Sequence, residues 1–265
     1  MHTRFVLIQT SHAGNVGAVA RAMRTMGFDD LVLVAPRWPD VLQRPEAIER
    51  ASGATDVLAK ARTVATLEDA LQGMHHVCAT AMVARDFGPP TRSPRQHMAW
   101  LQQQLGQGLH GPAPYGVAFV FGSERYGMRN QDVYRCHVAL QIPTAADFGS
   151  LNLAAAVQLI AYEWRLLLKG LGGDLALDAA PASDADQAAP AGARRADAQA
   201  VQAMLQHWQQ GLQAIGYLDP AAPKKLMPRL QQLFNRADLR EQEIHILRGI
   251  AKAMLEAAGQ PRRRE

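Results

Sequence analysis

The chain has 265 residues and a mass of 28.9 kDa, with 48% hydrophobic side chains and a net charge of +4, which suits one large domain or a medium domain with a small companion. No run reaches the roughly 18 apolar residues of a membrane span, because Gln158, Glu163 and Arg165 interrupt the longest candidate, and no signal-peptide pattern opens the chain, so a soluble cytoplasmic protein is expected. The two cysteines lack C-x-x-C spacing and the histidines form no H-x-x-x-H pair or His/Cys cluster, so no metal is expected and Cys78 and Cys136 read as reduced structural thiols.

Short apolar runs alternate with helical segments over the first 170 residues. "FVLIQT", "LVLVA", "HVCATA", "GVAFVFG" and "VALQIP" are predicted strands, rich in Val, Ile, Leu or Phe. Helices are predicted between them at Val16–Met26, Pro45–Lys60, Leu67–Gly73, Pro94–Leu105, Asn130–Arg135 and Ser150–Lys169. Near-continuous apolar strands separated by helices imply a parallel sheet covered on both faces. From Gly172 to Asp197 the composition turns to Ala, Asp, Pro and Gly, which cannot bury much surface and reads as a flexible linker. Beyond it, apolar residues return at helical spacing, as at Ile244, Leu247, Ile250 and Met254, and Pro228 fits best in the first turn of a shorter helix. The expected division is therefore an α/β domain at 1–170, a linker at 171–197 and a basic helical module at 198–265. From Lys224 to Glu265 there are ten Lys/Arg against five Asp/Glu; such a face suits a polyanion or is simply a solvated helical surface.

The stretch "TSHAGNVGAVARAMRTMGF" turns a strand into a helix, but its glycines follow G-x-x-G (Gly14, Gly17) and not G-x-G-x-x-G, and Pro36 stands where a ribose-binding acid is expected. No G-x-x-x-x-G-K-[ST] occurs. These features argue against a dinucleotide oxidoreductase and a P-loop NTPase. Two later loops, "FGSERYGM" and "IPTAADFGSLN", follow strands and form the usual crevice of an open α/β sheet, where backbone groups can read an adenine and a ribose.

Taken in order, "TSHAGNVGAVARAMRTMG", "FGSERYGM" and "IPTAADFGSLNLAAAVQLIAYE" resemble the three motifs of the SPOUT RNA 2'-O-ribose methyltransferases. With the tail "GYLDPAAPKKLMPRLQQLFNRADLREQEIHILRGIAKAM", the chain is similar to the TrmJ branch, the bacterial tRNA (cytidine/uridine 32)-2'-O-methyltransferases. The resemblance implies an α/β fold whose parallel sheet ends in a deep trefoil knot, a small helical C-terminal module, a homodimer, S-adenosylmethionine as methyl donor and the tRNA anticodon stem-loop as partner. It implies cofactor contacts at Thr80, Ala81, Gly122, Glu124, Gly127, Ile142 and Leu151, and catalytic roles for Arg21, Asn15, Ser150 and Asn152. Arg85, Lys224, Lys225 and Arg229 are the expected RNA contacts.

Several residues keep two readings. Arg21 has too high an ordinary pKa to be a base unaided, which favours anchoring a phosphate and stabilising a developing alkoxide, with proton acceptance as the other role. Asn15, Ser150 and Asn152 either serve the ribose or cap helices, and Glu124 either touches the ligand or holds its loop through backbone N–H groups. Two departures from the family pattern concern charge: Ser123 stands in "FGSER" where relatives carry arginine, and Val83 replaces an arginine while Arg85 remains. A ribosomal-RNA methylase and a non-catalytic RNA-binding protein are the alternatives.

Overall fold

In the computed structural model, residues 1–106, 115–171 and 194–259 are described. Seven strands form one parallel sheet: β1 (His2–Ile8), β2 (Leu31–Val34), β3 (Arg62–Val64), β4 (His76–Thr80), β5 (Thr91–Arg92), β6 (Gly116–Phe121) and β7 (Val138–Leu140), in the order β3-β2-β1-β6-β4-β7-β5. All five predicted strands are present. The two additional ones, β3 and β5, are short edge strands.

The strands read as continuous apolar runs because both faces of the sheet are covered. Phe5 pairs with Leu31 on one side and Phe119 on the other, and with Leu7, Phe121 and Leu140 it packs under helices α1 (Ala13–Thr25), α5 (Pro94–Gly106) and α7 (Leu153–Gly170). The alternate residues Val6, Ile8, Ala118 and Val120 join Val77 and Ala79 beneath α4 (Leu67–Ala70) and α6 (Asn130–Tyr134). Trp164 of α7 is completely buried, packs edge-on against Phe119 and donates its indole N–H to Thr3 Oγ1 at 2.8 Å. Near-buried Arg4 donates to Asp30 at 2.8 Å and to the carbonyls of Ala70 and Gln72, fastening β1 to the turn after α4.

The predicted helix Pro45–Lys60 is two helices, α2 (Pro45–Ala51) and α3 (Thr55–Lys60). The break falls at Ser52, whose φ of 53° cannot continue a right-handed helix. Helix α7 begins at Leu153, three residues later than Ser150, because Asn152 caps it by accepting the Ala154 N–H at 2.9 Å.

Helices α8 (Ala198–Ala214), α9 (Leu226–Ala237) and α10 (Glu241–Gly259) enclose a separate small core around Met204, Leu205 and Phe234. Pro228 lies in the first turn of α9, where its missing N–H costs nothing. The module packs on the α/β domain. Asp197 caps α8 through Ala200 N–H and also accepts the Gly73 N–H at 3.0 Å, while Asn235 donates to the Cys136 carbonyl at 3.1 Å. Most of the expected linker, residues 172–193, and the last six residues lie outside the described ones. Among the described residues no helix is long and apolar enough to cross a membrane.

Candidate functional site

The loops leaving the C-terminal ends of β4, β6 and β7 surround a cleft of about 560 Å³. Its wall contains Thr80 and Ala81 from the end of β4, Gly122, Glu124 and Gly127 from the loop after β6, and Ile142 and Leu151 from the segment leading to α7. All seven expected cofactor positions thus share one cleft. Asn15, Ser150, Asn152 and Arg85 line it too.

The loop after β6 owes its shape to two glycines. Gly127 adopts a φ of +64° and its N–H returns to the Ser123 carbonyl at 2.8 Å; a Cβ on Gly122 would stand 2.1 Å from the Gly127 carbonyl carbon. The closure leaves no space for a side chain at Gly122. Within the loop Glu124 points back to the first helix: it accepts from Ser11 N–H at 3.0 Å, Ser11 Oγ at 2.9 Å and Asn15 Nδ2 at 3.0 Å. Burial pushes its carboxyl up, but the hydrogen bonds from Asn15 and Ser11 outweigh it, so the net shift is downward and Glu124 is ionised at neutral pH. Glu124 therefore ties the "TSHAGN" turn to the β6 loop.

Gly14 and Gly17 serve different purposes. A Cβ on Gly17 would meet the Ala47 carbonyl oxygen at 2.0 Å, so Gly17 is the point where α1 crosses α2 closely. Asn15 lies inside α1, whose N-cap is His12, so it is not a cap; one amide hydrogen goes to Glu124 and its carbonyl oxygen remains an acceptor. Ser150 caps nothing, whereas Asn152 is both cap and cleft wall.

Arg21 is not brought into the cleft. It is exposed on α1, one turn beyond Ala18 on the face that carries Gly14. The expected RNA contacts divide. Lys225, the N-cap residue of α9, and Arg229 within it both lie 5.2 Å from the ring of Phe87, and Gln232 reaches the carbonyls of Phe87 and Gly88, so α9 grips the loop that carries Arg85 to the edge of the cleft. Lys224 is an exposed residue with a φ of 47° just before α9.

Sequence reasoning missed Met82, Tyr126, Gln141 and Thr144 in the cleft wall. The available signal was position: Met82 and Gln141 follow closely on strands, and Tyr126 and Thr144 lie inside the two cleft-forming motifs. It also missed a buried cluster: His76 Nε2 and His97 Nε2 are 3.1 Å apart, with Cys78 Sγ 3.7 Å from the latter. Burial, then Arg92 and His137, lower His97 to about 3, and burial also holds His76 well below its ordinary value, so both rings are uncharged and their Nε2 atoms meet at hydrogen-bond distance. Cys78 and Cys136 are both free and buried, and burial raises both thiols, as befits structural residues.

A doubly covered parallel sheet with a cleft made from three strand-terminal loops defines the class: an open α/β fold whose crevice lies at the carboxyl edge of the sheet, the usual ligand position of such folds. Residues 2–162 match the SpoU rRNA methylase family, and residues 199–263 match the C-terminal domain of the tRNA methyltransferase TrmJ. The chain belongs to the SpoU methylase family, in its TrmJ branch. It is 39% identical to the tRNA (cytidine/uridine/adenosine-2'-O-)-methyltransferase TrmJ of Pseudomonas aeruginosa, covering 93% of this chain and 91% of that protein. It is 38% identical to the tRNA (cytidine/uridine-2'-O-)-methyltransferase TrmJ of Pectobacterium atrosepticum over 95% of each. The crystal structure of TrmJ from Z. mobilis ZM4 superposes with a TM-score of 0.74 at 30% identity, covering 96% of this chain and 99% of that one.

Proposed function

We propose that this chain transfers a methyl group from S-adenosylmethionine to the ribose 2'-hydroxyl of cytidine or uridine at position 32 in the anticodon loop of tRNA. The observation that carries the reading is the convergence of Asn15, Ser150 and Asn152 on the same cleft as Thr80, Gly122, Glu124 and Ile142. The named activities of the full-length relatives support the tRNA ribose as target, and the resemblance of the tail supports position 32. The cytoplasm is the expected place of action.

The cleft suits the cofactor. Its volume is that of a nucleoside-sized ligand, Phe121, Ile142 and Leu153 offer apolar walls to an adenine, and the Thr80 hydroxyl is buried with no partner of its own. When bound, S-adenosylmethionine supplies an electrophilic methyl group on a sulfonium, so the protein's task is alignment and proton removal. Glu124 fixes Asn15, whose free carbonyl oxygen accepts from the attacking hydroxyl and orients it. Asn152 spends its carbonyl oxygen on the α7 cap and keeps its amide donors for the ribose. Exposed Arg21 anchors the phosphate beside the target and lowers the energy of the developing alkoxide, whose proton leaves to solvent as the methyl is transferred. Arg85, Lys224, Lys225 and Arg229 hold the flanking RNA backbone.

The homodimer belongs to the same proposal. Leu159, Tyr162 and Leu166 form an exposed apolar stripe on α7, at i, i+3 and i+7, which a second copy of the chain would cover. The knotted C-terminal threading of the sheet accompanies it. The test combines calorimetry with S-adenosylhomocysteine and methyl transfer to undermodified tRNA. Binding of the cofactor product and transfer to a ribose support the reading; tRNA binding without transfer would favour a non-catalytic RNA-binding protein, and transfer to ribosomal RNA alone would move the substrate.

A further inference from the structure

A second cavity, of about 810 Å³, opens beside the first between the start of α1, the side chains of Trp38 and Arg44, and α2. Asn15 and Asn152 line both cavities and form the divide between them. Gly14 lines this wall, and a Cβ there would make only an ordinary contact of 3.4 Å with Arg50 Cγ. The floor belongs to Trp38, a large aromatic left 38% exposed. Arg44 lies 4.4 Å and Arg37 5.0 Å from its ring centre. The ion pairs of Arg44 with Asp40 and Glu46 are long, 3.9 Å each, and their carboxylates are exposed, so they do not lock the guanidinium.

An exposed indole stacked with arginine beside a polar cavity is the arrangement on which unstacked RNA bases are held. The site is next to the atoms that act on the ribose. We propose that this cavity receives the target nucleoside, with its base stacked on the Trp38–Arg44 pair and its ribose at the Asn15–Asn152 divide, turned toward the methyl-donor cleft. The proposal rests on the methyltransferase reading and names the subsite that reading requires. The wall carries the carboxylates of Glu46 and Glu49 together with the guanidinium of Arg50. Acceptors there suit the exocyclic amine of cytidine, and a donor suits the corresponding carbonyl of uridine.

The full-length chain and its Trp38→Ala and Trp38→Phe variants decide the matter through three readouts. These are S-adenosylhomocysteine affinity by calorimetry, kcat and KM for methyl transfer to undermodified tRNA, and quenching of tryptophan fluorescence by an anticodon stem-loop RNA. Trp38→Ala is expected to lose roughly tenfold to hundredfold in kcat/KM, the worth of one stacked base, with Trp38→Phe retaining most of it and S-adenosylhomocysteine binding unchanged in both. The stem-loop is expected to quench an emission component that Trp38→Phe lacks. Activity of Trp38→Ala within twofold of wild type, an unquenched Trp38 component, or equal loss of activity and S-adenosylhomocysteine binding would each overturn the proposal. The quenching does not require turnover: if the wild type moves no methyl to tRNA, the enzymatic reading fails, and the Trp38 signal still shows whether the cavity stacks a base.

Discussion

Glu124 links the loop after β6 to the first turn of α1 through three hydrogen bonds that favour its charged form. Replacing it with Gln keeps the shape but turns one acceptor oxygen into a donor facing groups that already donate. We predict that Glu124→Gln loses at least tenfold in methyl-transfer kcat, with a smaller effect on S-adenosylhomocysteine affinity; a variant with wild-type kcat would show that Asn15 needs no such support. Asp30 tests the fold in the same way. Burial alone raises its carboxyl, but the hydrogen bond from His2 and the guanidinium of Arg4 bring it down from 3.8 to about 2. Because the folded value is the lower one, this stabilisation is complete above pH 4 and fades as the pH falls toward 2. Asp30→Asn is expected to cost about 2 kcal/mol at pH 7 and markedly less near pH 2.5, measured by urea unfolding at the two pH values. That Thr80, Ala81, Gly122, Glu124, Gly127, Ile142 and Leu151 share one cleft was legible because each lies in or beside a strand-terminal motif. The partners of Glu124, more than 100 residues away, and the His76–His97 contact were not, since each pair meets only across the folded sheet.

At the scale of elements, the buried strands could be read from composition because a parallel sheet covered on both faces needs apolar residues at every position. The edge strands β3 and β5 could not: "RTV" and "TR" carry no apolar run, and they pair only because β2 and β7 present free edges. The break between α2 and α3 was hidden for a related reason, since the apolar spacing continues past Ser52 while the backbone does not. Gly17 shows the reverse case, a residue suited to a ligand turn that proves to be a helix crossing. With its Cβ position 2.0 Å from Ala47 O, Gly17→Ala must push α1 from α2, at a cost of about 1–3 kcal/mol. The measurement is the denaturant midpoint; an unchanged midpoint would mean that the crossing yields freely. Since α1 and α2 also frame the second cavity, the variant is expected to lose tRNA turnover more than S-adenosylhomocysteine binding.

Across the whole molecule, the helical module and the catalytic domain share a border at the loop Arg85–Gly88, held by Gln232 and covered by Lys225 and Arg229. Charge reversal at Lys225 and Arg229 together is expected to weaken tRNA binding and to flatten its dependence on salt by about two phosphate contacts, without changing S-adenosylhomocysteine affinity. An unaltered salt slope would return those side chains to the role of a solvated surface. The module's helices and its basic balance were legible in the sequence, but its place against the loop was not, because Asp197, Gln232 and Asn235 are ordinary polar residues until the fold sets them opposite backbone groups. Ribose methylation of tRNA at this cleft leaves a product whose position can be mapped. Undermodified tRNA incubated with the full chain and labelled S-adenosylmethionine, then digested and read by mass spectrometry, should contain one 2'-O-methyl group, on the pyrimidine at position 32, and none with Arg21→Ala. A methyl group on a base, on another nucleotide, or equally present with Arg21→Ala would rule out Arg21-assisted ribose methylation at position 32.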